Sequence, residues 1–138
     1  MFEAVIALCV AAEGGPCRDQ LLPGYEAFDR SACEVALSEN PPQVQEFEGL
    51  VAEQGPVCKP LGEVLPVTEV APGLFVHLGL VEEPDENNRG DVSNLGFVIG
   101  ETGVAVIDTG TARWMGEALG RALSGATGPP RAHVTLPH

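Results

Sequence analysis

The sequence predicts an α+β protein in two segments: a small β-hairpin and helix segment stapled by disulfides, then a run of strands closed by a strand–helix–strand unit. Three observations predict it. All four cysteines, Cys9, Cys17, Cys33 and Cys58, fall within the first 58 residues. Short apolar runs rich in Val, Ile, Leu and Phe recur along the chain, separated by Pro and Gly. One amphipathic helical pattern follows Asp108-Thr109-Gly110 and is itself followed by a further apolar run.

The 138 residues suffice for one ordinary domain or two small ones, and 44% hydrophobic content argues against disorder. Charge is lopsided, with 20 Asp and Glu against 7 Lys and Arg, a formal net of −13. The basic residues are scattered, so a polyanion would be repelled, which sets nucleic acid and acidic membranes aside as partners. The acidity serves solubility, or it faces a basic partner surface or attracts cations. No run reaches the length of a transmembrane span. Residues 1–12 are apolar, but Glu3 stands where a signal peptide would carry basic residues, so a strand is the expectation.

Within residues 1–60, the run 2–10 reads as a strand and Glu13-Gly14-Gly15-Pro16 as a turn. Residues 17–22 form the returning strand, stopped by Pro23-Gly24. Ser31 is a candidate N-cap for a helix through Cys33, Val35, Ala36 and Leu37, broken by Pro41-Pro42. Val44, Phe47, Leu50 and Val51 continue a helical spacing until Gly55-Pro56, and Val57-Cys58 opens a last short strand. An even cysteine count without CxxC spacing favours two disulfides and an oxidising compartment, the alternative being four reduced thiols in a cytosolic core. Linking Cys17 to Cys33 would close a loop of about 15 residues, worth roughly 3 kcal/mol. Cys9 with Cys58 would then tie the first strand to the last, although four cysteines allow three connectivities.

Residues 61–66 read as a linker, and residues 67–138 as the second segment. A strand over 67–71 turns at Pro72-Gly73 into a strand over 74–80, with Phe75 and His77 on one face and Val76 and Leu78 on the other. A polar loop over 82–91 leads to strand 94–100, a tight turn at Glu101-Thr102-Gly103, and strand 104–108. The helix over 112–124 places Trp114, Ala118, Leu119, Ala122 and Leu123 on its buried face, with Arg113 and Glu117 as an exposed pair. Gly128-Pro129-Pro130 ends it before a final strand over 131–136.

Four stretches carry a resemblance: Glu69-Val70-Ala71-Pro72-Gly73-Leu74-Phe75-Val76, the strand 94–100, Val104-Ala105-Val106-Ile107-Asp108-Thr109-Gly110, and His133-Val134-Thr135-Leu136-Pro137-His138. Together they resemble the opening of the metallo-β-lactamase superfamily. The resemblance implies that residues 67–138 are the first half of an αββα sandwich. It implies zinc as cofactor, with His138 on the first His of the HxHxDH metal motif and Pro137 where Thr or Ser is usual. Over nearly its whole length the chain is most similar to one branch, the quinoprotein relay system zinc metallohydrolases of the second type. Residues 81–94, and Cys17-Arg18-Asp19 through Leu22-Pro23-Gly24, carry that likeness. The branch implies a periplasmic location and catabolism dependent on pyrroloquinoline quinone. A quinoprotein dehydrogenase or its cytochrome is the implied partner, beside the missing C-terminal half of the chain's own domain.

A hydrolytic zinc site needs three protein ligands and an open position for water, whose pKa the metal lowers towards neutrality. His138 alone cannot hold catalytic zinc, so the chain by itself is expected to be inactive. Asp108 is expected either to brace the loop that carries the metal ligands or to accept the Gly110 and Ala112 amides at the helix start, and the two roles are compatible. His77 and His133 read as strand residues and Trp114 as core. Asn87, Asn88, Arg89 and Asp91 lie on the loop that the resemblance places at the active-site rim; a solvated acidic hairpin is the alternative. Two functions follow: part of a zinc hydrolase, or a non-catalytic periplasmic module that docks on a quinoprotein dehydrogenase or cytochrome.

Overall fold

The computed structural model describes residues 1–43 and 49–127, together with the backbone of 133–136. The chain is α+β and divides into two compact units, Met1–Leu61 and Gly62–His138.

The first unit is an antiparallel sheet with one helix. Its central strand β1 (Phe2–Val10) pairs on one side with β2 (Cys17–Ala27). On its other side lie β3 (Leu50–Val51), opposite Cys9 and Val10, and β4 (Val57–Pro60), opposite Phe2 through Val5. β1 is almost wholly apolar and buried along its length rather than alternating, the pattern of a central strand. β2 does not stop at Pro23-Gly24. As an edge strand it can accept a proline, and the register slips there, with Ala4 opposite Leu22 but Phe2 opposite Ala27. Gly24, at φ 104°, takes a conformation that side chains disfavour.

Helix α1 (Arg30–Glu39) begins two residues before the position expected from Ser31. Asp29 is the N-cap, extended at φ −130° and ψ 166°, and its carboxylate accepts the Ala32 amide at 2.8 Å. Asp29→Ala is expected to cost about 1 kcal/mol in the unfolding free energy of this unit, measurable by urea denaturation. The helical spacing expected through Leu50 and Val51 is overturned at those two residues, which extend alongside β1. Val44 and Phe47 lie outside the described residues.

Both disulfides form, with a pairing that corrects the expected Cys17–Cys33 and Cys9–Cys58. Cys9 bonds Cys17, with Cα atoms 3.9 Å apart, and Cys33 bonds Cys58, with Cα atoms 6.2 Å apart. Hairpin register decides the first pair, because it sets Cys9 directly opposite Cys17. It also excludes Cys9–Cys58: Cys58 pairs with Ala4, so Cys9 lies five residues further along β1, about 17 Å at strand rise. Cys33, on the buried side of α1, reaches Cys58 instead, in a core formed with Ala4 and flanked by Phe2, Leu22, Tyr25 and Leu37.

The second unit is a five-stranded sheet in chain order: β5 (Thr68–Ala71), β6 (Leu74–His77), β7 (Leu95–Ile99), β8 (Val104–Ile107) and β9 (His133–Leu136). The first four are antiparallel. Helix α2 (Arg113–Thr127) then carries the chain across, and β9 runs parallel to β8. α2 buries Met115, Ala118, Leu119, Ala122 and Leu123 against Leu95, Phe97, Val104 and Val106, and Phe75 stacks on Phe97 at 4.9 Å. Trp114, expected in that core, is half-buried at its margin, and Met115 occupies the central place. The expected linker 61–66 is partly core. Leu65 is 2% exposed, and its amide donates to the Ala118 carbonyl at 3.0 Å.

The opposite face of this sheet carries Leu74, Val76, Val98, Ala105 and Ile107. Val98 and Ile107 are 37% and 41% exposed. α2 covers one side of the sheet only.

Candidate functional site

Two features of the second unit concentrate polar chemistry: the bend after β8 and the long connection from β6 to β7. At the bend, the apolar run of β8 ends and Asp108 adopts φ 62°, a left-handed conformation unusual for a residue with a side chain. Its carboxylate accepts the Thr109 amide at 2.6 Å and the Gly110 amide at 3.0 Å. Asp108 therefore ties down the turn that leads into α2; of the two amides expected from sequence, Gly110 is a partner, and Thr109 is a partner beside it. Gly110, at φ 85°, completes the turn, and a Cβ there would press on Met115. Because β9 is parallel to β8 with Leu136 beside Ile107, β9 ends at the sheet edge where Asp108 stands. In open sheets, ligands gather at the carboxyl ends of parallel strands. His138 lies outside the described residues, and of His133 only the backbone, in β9, is described.

The β6–β7 connection is built around a buried pair missed by sequence reasoning. His77, 7% exposed, places Nε2 at 2.7 Å from Asp91 Oδ1 and Nδ1 at 2.8 Å from the Pro66 carbonyl. A carbonyl only accepts, so Nδ1 is the donor there, and Nε2 faces the Asp91 carboxylate at hydrogen-bond distance. The signal was present in the sequence. His77 was placed on the same face as Phe75, which faces the core, and a buried imidazole needs partners.

Asn88, also 7% exposed, is satisfied on all sides. Its Oδ1 accepts the Asp85 and Gly90 amides, and its Nδ2 donates to Glu82 and to the Glu83 carbonyl. Arg89 sits at φ 54° with its guanidinium 3.9 Å above the Trp114 ring and 2.8 Å from Glu63, while Trp114 donates its indole N–H to the Arg89 carbonyl. The hydrogen bond to Glu63 raises the Arg89 pKa above its ordinary value; desolvation opposes it, and the attraction of Glu63 and Asp91 adds to the rise. Thr111 donates to the Gly90 carbonyl at 2.5 Å. Of the four residues expected at an active-site rim, Asn88 and Asp91 thus brace the connection from within, and Arg89 braces it from the surface. Asn87 is exposed, with its amide on Asp85.

Among the described residues no group of three or more His, Cys, Asp or Glu side chains is placed to hold a metal ion. The four cysteines are oxidised, and both His77 nitrogens are engaged. Two disulfides are the mark of a chain that folds in an oxidising, extracytoplasmic compartment. No helix among the described residues is long and apolar enough to cross a membrane. In comparisons with known proteins, no family model, no curated protein and no solved structure matches this chain.

Proposed function

We propose that the second unit is the first half of a zinc metallohydrolase domain of metallo-β-lactamase type, acting in the periplasm beside quinoprotein-dependent catabolism. The observation that carries this reading is the strand–Asp108–helix–strand arrangement. It sets a carboxylate in a left-handed bend at the same sheet edge where β9 ends. In that role Asp108 is a positioning residue, holding the bend beside the loop that would carry metal ligands, with His138 the first of them. The exposure of Val98 and Ile107 on the face opposite α2 supports the same reading, because a half-sandwich needs a second layer.

The donor set of the described residues does not fit catalytic zinc. Such a site needs three protein ligands, and among the described residues no three His, Cys, Asp or Glu side chains are grouped to supply them. The remaining ligands must come from other residues, and no hydrolytic step is assigned to this chain. The test has two parts. Reading the coding sequence beyond codon 138 is expected to give His-x-Asp-His after one further residue; any other sequence there overturns the family assignment. Dialysed against zinc and then chelator, the 138-residue protein is expected to retain none. Stoichiometric zinc that survives chelator, and is lost in His138→Ala, would show a complete site and refute the proposal that the chain is catalytically empty.

A further inference from the structure

The connection after β6 presents apolar side chains to water. Leu78 is 73% exposed, Leu80 51% and Val81 105%. Single exposed apolar residues are ordinary; three within four positions, bordered by charge, mark a contact surface.

This stretch is pinned rather than slack. The Gly79 amide donates to Asn94 Oδ1 at 3.1 Å and the Leu80 amide to the Asp91 carbonyl at 2.8 Å. Gly79 approaches the Ser93 backbone so closely that a Cβ would collide with it. Asp91 is anchored in turn by His77. The backbone is therefore held in place while Leu78, Leu80 and Val81 are kept out of the core, so little ordering would remain to be done on binding.

Charge defines what would fit. Glu82, Glu83, Asp85 and Glu86 follow directly, all exposed. The cation of this connection, Arg89, is held by Glu63. The apolar tip thus stands in an acidic collar on a chain of net charge −13. A second copy of the chain and an anionic bilayer would both be repelled.

We infer that Leu78, Leu80 and Val81 form a docking knuckle for a partner protein that offers an apolar cleft rimmed by Lys and Arg. The knuckle supplies contact area, and the collar steers approach and selects against acidic partners.

The probe is a short amphipathic peptide of Leu and Lys, titrated into the full chain at low and at physiological salt, with the matching Leu–Glu peptide as control. The triple variant Leu78→Ser, Leu80→Ser, Val81→Ser keeps every charge and alters only exposed side chains. It is expected to bind the Lys peptide about tenfold more weakly, with an unchanged far-ultraviolet circular dichroism spectrum. Glu83→Gln with Glu86→Gln, whose side chains brace nothing in the loop network, is expected to weaken binding about threefold at low salt and to flatten the salt dependence. Three results would each overturn the inference: triple-variant binding equal to wild type, equal affinity for the Leu–Glu peptide, or Val81-dependent association with phosphatidylcholine vesicles.

Discussion

Removing the Cys33–Cys58 disulfide as Cys33→Ala with Cys58→Ala is expected to strip the first unit of most of its stability. Cys33 is the one fully buried residue of α1 and Cys58 is 5% exposed, so this bridge is the main tie between helix and sheet. The sequence separation is 25, and closing a loop of that size in the unfolded chain is worth about 3.5 kcal/mol. A unit of about sixty residues with a small apolar core has only a few kcal/mol to lose. Two alanines would also leave the core around Ala4 short of sulfur contacts. Amide exchange in residues 32–37 should then approach that of an open chain, and the thermal transition of this unit should fall or vanish.

The other bridge supplies the control. Cys9–Cys17 spans a separation of 8, worth about 2.5 kcal/mol by the same relation. It joins residues already opposite each other in a hairpin paired continuously from Cys9 and Cys17 to Ala4 and Leu22. Cys9→Ala with Cys17→Ala should therefore fray the end of the hairpin and leave α1 protected. Greater damage from this pair than from Cys33→Ala with Cys58→Ala would mean that the helix is held to the sheet by something other than its disulfide.

The contrast between the two bridges shows what kind of information the linear sequence carried. β1, β6, β7, β8 and α2 were legible because each is a periodic or apolar run bounded by Gly or Pro, and such signals are local. Asp108 was legible for the same reason, as the first polar residue after the β8 run. Disulfide pairing was not. Loop-closure entropy ranks connectivities weakly, whereas hairpin register, set by residues 11–16, places Cys9 against Cys17 outright. Leu50 and Val51 fit a helical spacing but lie beside Cys9 and Val10, a tertiary override of a short pattern. Pro23 looked like a stop because the edge position of β2 could not be known beforehand. The network between β6 and β7 was hidden for another reason. Its bonds join His77 to Asp91 across 14 positions and Arg89 to Glu63 across 26. No local period encodes such distances.

That network yields the second large effect. Asp91→Ala would leave the His77 Nε2 without its carboxylate in a site where the imidazole is 7% exposed. Breaking a fully buried pair costs several kcal/mol; with Asp91 itself 25% exposed, water recovers part of that, and the expected loss is about 2 kcal/mol. Asp91→Asn separates the charge from the hydrogen bond. The asparagine amide can donate to Nε2 while a neutral imidazole keeps its Nδ1 proton on the Pro66 carbonyl. Its expected cost is below about 1 kcal/mol. Equal damage from both substitutions would mean that the ionised carboxylate, rather than a bridging hydrogen bond, holds the connection. A silent Asp91→Ala would mean that neither does. The Leu80 amide, bonded to the Asp91 carbonyl, reports the outcome directly: it should lose protection in Asp91→Ala and keep it in Asp91→Asn. If the knuckle binds as a pre-formed surface, Asp91→Ala should also weaken the Leu–Lys peptide while every residue that touches it is unchanged. Affinity lost without a contact residue altered is the signature of a surface whose value lies in being held still.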